Sequence, residues 1–252
     1  MQRFRSVIAF AAAATLTAAH AAPDEIQVYT DDLNKPGEFG LEMHMNYVTR
    51  GDKQAAWDGQ SPVHHMFRFT PEFSYGVSEH FDVGLYLPML RTNQDEYHLE
   101  GAKLRAKYLV AGDGNPFYWG LNMELGKVSL RAEEHHWNVE FRPILGYKLT
   151  NWEFTLNPIL GWSISDRRGG APAFEPAGKV AYRLTDALSV GVEHYAALGP
   201  VYNLLPRGQQ EHATFLVMDA KVGGTDVNFG IGHGNSNSQD TWVVKGIVGF
   251  GF

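Results

Sequence analysis

Long segments in which every second residue is apolar constrain the fold of this chain more than any other feature. In HWNVEFRPILGYKLT, residues 136–150, the odd-numbered positions carry the large apolar side chains and Pro143. The even-numbered positions carry polar, charged or small side chains, apart from Ile144. The next segment, NWEFTLNPILGWSIS at 151–165, repeats the pattern directly after the dipeptide TN. A period of two over this length predicts two long β-strands joined as a hairpin.

Segments of this kind recur along the chain after residue 36. We place twelve of them, at roughly 37–50, 64–77, 81–91, 98–111, 117–129, 136–150, 151–165, 173–185, 187–199, 211–223, 226–234 and 240–252. Their connections alternate between short turns (SEH, GDGNP, TN, TDA, GGTD) and longer, more polar loops. Outer-membrane barrels sort their loops in this way, with short periplasmic turns and longer external loops. The sequence therefore predicts an all-β fold, a transmembrane antiparallel up-and-down β-barrel of about 12 strands over 37–252. A soluble β-sandwich is the alternative.

Tryptophans near the strand ends favour the barrel over the sandwich. They lie on the apolar parity, that is, among the alternate strand positions that carry the apolar side chains. The aromatic side chains that mark the two interfaces of a membrane barrel lie on that same face. The predicted aromatic girdle consists of Trp119, Trp137, Trp152, Trp162 and Trp242.

The opposite parity carries charged side chains, which in a barrel face the lumen. The predicted lumen-lining residues are Glu42, Arg68, Glu72, Lys103, Arg105, Lys107, Glu124, Glu140, Arg142, Glu153, Glu175, Lys179, Arg183, Glu193, Asp219, Lys221 and Lys245. A twelve-strand barrel has a backbone radius of roughly 12 Å, so inward side chains leave either a narrow polar channel or a salt-bridged plug. Acidic and basic members are nearly balanced, so strong selectivity by charge sign is not predicted. The row Lys103, Arg105 and Lys107 is either a basic stripe that attracts anions or is neutralised by Glu72 and Glu124.

The first 21 residues have the pattern of a secretory signal peptide. Arg3 and Arg5 precede the apolar run SVIAFAAAATLTAA, and Ala19-His20-Ala21 forms a small-x-small cleavage site. A buried N-terminal helix is the alternative. Cleavage after Ala21 would leave an N-terminal segment, 22–36, before the barrel. Its stretch Asp24 to Lys35 either enters the lumen as a plug or hangs in the periplasm.

The chain ends on an alternating strand, TWVVKGIVGFGF, with Phe250 and Phe252 on the outward parity. This strand resembles the C-terminal signal that the barrel assembly machinery of Gram-negative bacteria recognises. The resemblance implies that the last strand closes against the first and that the protein resides in the outer membrane, in contact with lipid and lipopolysaccharide. An ordinary final strand is the alternative.

Composition removes several classes of function. The formal net charge is −7, so a nucleic-acid partner is not indicated. The chain has no cysteine, which excludes disulfides and thiolate metal sites. The pairs His64–His65 and His135–His136 place neighbouring side chains on opposite strand faces and offer no clear third ligand. We therefore expect these histidines to have a surface role, and we predict no metal and no cofactor.

A lipid-modifying hydrolase is the enzymatic alternative, since some small barrels cleave lipids. In IGHGNSNSQD, Ser236 lies three residues from His233, so on a strand the two side chains point to opposite faces. Asn235 occupies the position two residues after the histidine and cannot act as a nucleophile. The stretch is better explained as an external loop rich in turn-forming residues, and we predict that the protein is not an enzyme.

Three stretches carry a resemblance to a known family: DEIQVYTDDLNKPGEFGLEMHMNYV (24–48), FRFTPEFSYGVSEHFDVGLYLP (67–88) and WVVKGIVGF (242–250). They resemble proteobacterial outer-membrane barrels related to the putative MetA-pathway phenol-degradation family, often described as transporter-like. The resemblance covers barrel strands and transfers no functional residue. It implies a porin-like channel for small organic, possibly aromatic, solutes. A plugged structural barrel whose loops bind a partner is the remaining alternative.

Overall fold

Sixteen strands form one sheet in the computed structural model, which describes residues 25–111, 114–165 and 171–252. The predicted signal peptide, 1–21, lies outside the described residues. The strands are β1 Phe39–Gly51, β2 Phe67–Ser78, β3 Phe81–Tyr86, β4 Met89–Arg91, β5 Tyr97–Leu99, β6 Gly101–Ala111, β7 Phe117–Val128, β8 Trp137–Lys148, β9 Trp152–Asn157, β10 Leu160–Ser163, β11 Ala173–Phe174, β12 Ala177–Thr185, β13 Leu188–Ala197, β14 Glu211–Val222, β15 Thr225–Gly234 and β16 Asp240–Gly251.

These strands make twelve wall segments, because four segments are each divided into two short strands: β3 with β4, β5 with β6, β9 with β10, and β11 with β12. Consecutive segments pair antiparallel, and β1 pairs with both β2 and β16. The sheet is therefore a closed twelve-strand up-and-down barrel, which confirms the predicted fold class. Among the described residues, no helix is long and apolar enough to cross a membrane.

The last strand closes the barrel against the first. Leu41 is paired with Phe250, and the ladder extends along nearly all of β1. At its end, the Phe252 N–H donates to the Phe39 carbonyl over 2.8 Å, and the Phe39 N–H donates back over 3.2 Å. Closure leaves no unpaired sheet edge, which is what allows strands to cross a membrane.

The two faces of the wall differ as the period of two predicts. In β7, for example, Tyr118 is buried while the adjacent Trp119 is 45% exposed. Large apolar side chains such as Leu104, Leu156 and Leu216 are exposed on the outer face, whereas charged side chains are buried on the inner one. This inside-out distribution is expected for a wall that faces hydrocarbon outside and polar groups inside.

Prolines explain where two of the wall segments are divided. The register on either side places Pro143 opposite Pro158 and Pro158 opposite Pro176, across three adjacent segments. Proline has no N–H to donate to a sheet ladder, and within sheets it marks irregular positions. The regular ladder is accordingly interrupted between β9 and β10 and between β11 and β12.

The barrel has two distinct ends. At the short-turn end lie the tight connections, the start of β1 and the end of β16. At the long-loop end lie the connections 52–66, 92–96, 129–136, 198–210 and 235–239 and the described residues 164–165 and 171–172; the connection 198–210 contains a 3₁₀ turn at Arg207–Gln209. Residues 25–36, here called the N-terminal segment, run through the barrel interior from the short-turn end and provide several of its buried side chains, including Val28 and Tyr29.

Candidate functional site

Most of the predicted lumen-lining residues lie on the inner face of the wall. Ten of them are buried: Arg68, Glu72, Lys103, Arg105, Glu124, Arg142, Glu175, Lys179, Glu193 and Lys245. Five are partly exposed: Glu42, Lys107, Glu140, Glu153 and Asp219. The remaining two are exposed at the short-turn end, where Lys221 pairs with Asp226 over 2.7 Å and Arg183 donates to the Thr150 carbonyl.

Ion pairs between non-adjacent strands show that these side chains share one interior. Arg68 on β2 contacts Asp240 on β16 over 2.5 Å, across the width of β1. Lys179 on β12 contacts Asp219 on β14 over 2.8 Å, across β13. Contacts that skip a strand require both side chains to lie on the same face of the sheet, and the inward curvature of a closed barrel brings such side chains closer together. Because the charges are paired there, their desolvation is offset by direct Coulomb attraction and hydrogen bonds.

The basic row of β6 does not form a free stripe. The Arg105 guanidinium contacts Glu72 over 2.8 Å and Asp82 over 3.1 Å, and the Lys107 ammonium lies 3.9 Å from Asp82. Asp82, which sequence analysis did not single out, lies near the short-turn end of β3 on the inward parity. Glu124 instead accepts a hydrogen bond from the Asn122 amide over 2.9 Å.

The N-terminal segment bridges opposite walls of the barrel. The Lys245 ammonium on β16 donates to the Ile26 carbonyl over 2.9 Å, and the Arg142 guanidinium on β8 donates to the Gln27 carbonyl over 3.3 Å. In the strand order, β16 and β8 are six wall segments apart out of twelve, and so lie diametrically opposite. Two consecutive carbonyls thus link the two sides of the interior, and the segment spans its diameter.

Tyr29 is the most extensively held residue of the segment. Its backbone N–H donates to the Asn157 side-chain oxygen over 2.7 Å, and its carbonyl accepts from the Asn157 amide over 3.0 Å. Its hydroxyl hydrogen-bonds the Tyr86 hydroxyl. The Arg142 guanidinium lies 4.3 Å from the centre of its ring, within the range of a cation–π contact.

Apolar packing and further polar contacts hold the rest of the segment. Tyr29 packs with Leu109, Tyr118 and Ile144, and Val28 packs in a separate buried cluster with wall residues. Nearer the short-turn end, Asn34 donates to the Ser74 hydroxyl over 2.7 Å. These contacts show that the segment is packed into the short-turn half of the interior.

A cavity of about 600 Å³ occupies the long-loop half of the interior, with Glu25 and Ile26 of the N-terminal segment among its lining residues. Aromatic side chains Trp57, Tyr195 and Phe215 contribute to its wall. Its described lining includes eight carboxylates, Glu25, Glu124, Glu133, Glu134, Glu140, Glu175, Glu211 and Asp240, against the basic side chains Arg68, Lys103 and Arg131. Among the described residues of this lining, acids therefore outnumber Arg and Lys, in contrast to the near balance expected for the lumen as a whole.

Glu175 is a buried carboxylate of this lining with an unsatisfied oxygen, because within the described part of the chain its Oε1 has no hydrogen-bond partner. Gly161 lies beside it, so that a methyl group built on Gly161 would be 3.1 Å from the Glu175 Oε2.

Four of the five predicted girdle tryptophans are between 41% and 45% exposed on the outer face: Trp119, Trp137, Trp152 and Trp242. Trp162 is half-buried near the long-loop end of its strand. The sixth tryptophan, Trp57, lies in a loop, where its indole N–H donates to the Leu130 carbonyl over 2.7 Å. Phe250 and Phe252 are exposed at the short-turn end.

The histidines considered in the sequence analysis lie at the long-loop end. The His233 ring packs edge-on against Trp242, with centroids 4.7 Å apart, while Ser236 is exposed in the following loop. His64 accepts a hydrogen bond from the Gly51 N–H over 3.3 Å, and its ring lies 3.9 Å from that of His65. Partial desolvation and the neighbouring His65 lower the pKa of His64 below its usual range. His136 contacts the Val128 carbonyl over 3.0 Å.

Solved structures share the barrel. An outer membrane channel from Pseudomonas putida F1 is similar with a TM-score of 0.60 at 11% identity, over 88% of this chain and 97% of that one. The NanC porin aligns with a TM-score of 0.53 at 7% identity, over 84% and 97% of the two chains. The KdgM porin aligns with a TM-score of 0.52 at 11% identity, over 84% and 99%. No protein-family model matches the chain, and no curated protein sequence does. At these identities the similarity shows the fold alone, a closed antiparallel β-barrel.

Proposed function

We propose that the protein is a channel for small solutes in the outer membrane of a Gram-negative bacterium. The observation that carries the proposal is a charged, hydrogen-bonded barrel interior with a cavity of about 600 Å³ at its long-loop end. In this assignment the long loops face the outside of the cell and the short turns face the periplasm. Solute enters the cavity from outside and passes the N-terminal segment to reach the short-turn end.

Passage depends on the N-terminal segment. With Ile26 and Gln27 linked to opposite walls, the interior is narrowed across its full width. The polar contacts of the segment are hydrogen bonds, cation–π contacts and ion pairs such as that of Asp31 with Lys148, and none of them is covalent. Solute flow therefore requires the segment to shift or to leave, and its removal should enlarge the path.

Small organic molecules are the solute class that we propose. Around the cavity, Trp57, Tyr195 and Phe215 offer aromatic surface next to carboxylates, as in sites that bind partly apolar ligands with a few oriented polar groups. The resemblance to the MetA-pathway phenol-degradation family supports organic and possibly aromatic solutes. The excess of carboxylates favours neutral or cationic molecules over anions.

Export and assembly complete the proposal. Residues 1–21 act as a signal peptide cleaved near Ala21, and the final strand with Phe250 and Phe252 is recognised by the barrel assembly machinery. The exposed tryptophans Trp119, Trp137 and Trp242 contact lipid and lipopolysaccharide near the two interfaces. Cell fractionation with mass spectrometry of the mature N-terminus tests the location and the cleavage site together.

Planar-bilayer recording and liposome swelling test the channel. The refolded chain is expected to produce discrete conductance steps and to admit small neutral organic solutes faster than empty liposomes do. Protein that migrates as a folded barrel on an unboiled detergent gel, yet gives neither steps nor swelling with the N-terminal segment removed, would contradict the proposal.

A plugged barrel whose external loops bind a partner is the second candidate, and the packed N-terminal segment is the observation in its favour. The two candidates differ in what removal of the segment does. A channel gains flux, whereas a structural barrel with an otherwise filled lumen does not.

A further inference from the structure

Two carboxylates of like charge face each other near the short-turn end of the barrel. Glu42 on β1 and Glu72 on β2 are direct register partners, and both lie on the inward parity. Like charges directly opposite one another on a sheet are destabilising, and burial strengthens the repulsion. Glu72 is buried and Glu42 is partly exposed. A positive group between their oxygens would offset the repulsion between the two carboxylates.

His44 lies two residues after Glu42 on the same face of β1 and points its ring at both carboxylates. Its Nε2 is 3.7 Å from the Glu42 Oε2 and 3.5 Å from the Glu72 Oε2. The side chain is only 1% exposed, and within the described part of the chain neither ring nitrogen makes a hydrogen bond. A buried imidazole without a hydrogen-bond partner is costly unless another group uses its nitrogen.

Arg105 fixes the orientation of Glu72. Its Nε contacts the Glu72 Oε1 over 2.8 Å, so that the second carboxylate oxygen is directed towards His44. Metal-binding carboxylates are commonly oriented by a partner on their non-ligating oxygen, and here that partner is the ion pair with Arg105. The guanidinium also contacts Asp82 over 3.1 Å, so its charge is shared between two acids.

The spacing of the three donor atoms fits a tetrahedral metal ion. One atom each from Glu42, His44 and Glu72 can be chosen so that all three lie within 4.8 Å of one another. Zn–N and Zn–O bonds of about 2.0–2.1 Å in tetrahedral geometry require ligand atoms roughly 3.4 Å apart. The two distances from His44 are already close to this value, and small side-chain rotations bring the two carboxylates together.

We propose that Glu42, His44 and Glu72 form a binding site for a divalent transition-metal ion of the zinc type. Imidazole nitrogen and two carboxylate oxygens are ligands that suit Zn²⁺, and three protein ligands leave a fourth position for water. The ion neutralises the facing carboxylates and takes up the free imidazole nitrogen. Its access route is the short-turn mouth, where the Glu42 side chain is 37% exposed.

Isothermal titration of Zn²⁺ into the metal-stripped, detergent-solubilised chain tests the site. We expect one ion per chain in the wild type, loss of that ion in His44→Asn, and at least about tenfold weaker binding in Glu42→Gln. Glu42→Gln alters a partly exposed position and keeps the side-chain shape. Heat-shifted migration on a detergent gel verifies that each variant is folded, and Co²⁺ substitution reports tetrahedral ligation through its visible absorption.

A surface histidine pair provides the matched control. His194 and His212 lie within 3.3 Å of each other, and both are exposed or partly exposed. The double variant His194→Asn with His212→Asn is expected to keep the ion. Loss of the ion in this double variant, its retention in folded Glu42→Gln with unchanged affinity, or no Zn²⁺ uptake by the wild type would each overturn the proposal. In the last case His44 serves only as an ion-pair partner of the two carboxylates.

Discussion

The two halves of the barrel interior differ in how their charged side chains are paired. In the short-turn half, wall residues pair with one another and with the N-terminal segment, as Arg105 does with Glu72 and Lys148 does with Asp31. In the long-loop half the interior is open, and the described carboxylates of the cavity outnumber its Arg and Lys side chains. The same alternating strands run through both halves. What distinguishes them is therefore the N-terminal segment, most of which packs in the short-turn half, while Glu25 and Ile26 reach the lining of the cavity.

Packing shows the same contrast. Next to the segment, Gly146 leaves room for the ring of Tyr118, since a Cβ on Gly146 would lie 1.8 Å from the ring's Cζ. Tyr118 in turn packs with Tyr29 of the segment. In the open half, a Cβ on Gly161 would meet only the end of the Glu175 side chain, at 3.1 Å. Gly146 therefore lies in a close-packed part of the interior, whereas the position of Gly161 tolerates added volume. The contrast is local, because a Cβ on Gly232, which also lines the cavity, would lie 2.3 Å from the Phe215 ring.

The largest loss of stability is expected for Lys245→Met, at the boundary between the halves. The Lys245 ammonium is buried, pairs with Glu193 and donates to the Ile26 carbonyl. Removing one member of a buried pair leaves the other charge poorly compensated and costs about 3 kcal/mol. The low end of the usual range is expected, because Glu193 keeps Lys179 at 3.5 Å. Reversible urea unfolding in lipid vesicles measures the change.

The double variant Lys245→Met with Glu193→Gln sharpens that result. If the loss arises from an uncompensated carboxylate, the second substitution should recover part of it. Equal stability of Lys245→Met and the wild type would show that the boundary contacts do not hold the interior together.

A smaller loss is expected for Gly146→Ala, about 2 kcal/mol, because the new methyl group overlaps the Tyr118 ring and forces repacking. Gly161→Ala is the matched substitution in the open half and should be nearly neutral. Gly178→Ala, whose Cβ would be 3.4 Å from its nearest neighbour, controls for the change in strand propensity. Parallel unfolding curves in vesicles rank the three variants. Equal losses at Gly146 and Gly161 would remove the distinction between a filled and an open half.

The smallest expected effect is a change in ion preference. Because the described lining of the cavity has more carboxylates than Arg and Lys side chains, current should be carried preferentially by cations. Glu134→Gln removes one partly exposed carboxylate of the cavity lining and should shift the reversal potential under a KCl gradient by a few millivolts towards zero, with conductance little changed. Lys221→Gln, at an exposed pair beyond the cavity, is the control. An anion preference in the wild type would contradict the assigned electrostatics of the open half.

Much of the wall was accessible to sequence analysis because its determinants are local. The period of two identified the twelve segments, and the alternation of TN-like turns with longer loops identified the two ends. The sequence pattern did not reveal that Pro143, Pro158 and Pro176 lie side by side on adjacent strands, because this requires knowledge of the register between strands.

The interior was less accessible, because its contacts join residues far apart in the chain. Ile26 and Lys245 are separated by 219 positions, and the N-terminal segment has no periodicity from which its path could be inferred. His44 was missed for a related reason. Glu42-Met43-His44 places a carboxylate and an imidazole on one strand face, which is a usable signal, but only the register of β1 with β2 shows that Glu72 completes the group. Asp82, which contacts Arg105, was not predicted as a lumen residue because it lies next to a turn in the sequence.

Single-channel recording on a chain that lacks residues 25–36 tests most directly whether the N-terminal segment closes the lumen. The shortened chain and the wild type are compared in the same bilayer, after both show heat-shifted gel migration. We predict a several-fold larger conductance and faster entry of small organic solutes into liposomes for the shortened chain. Indistinguishable conductance and swelling in the two folded proteins would contradict the account.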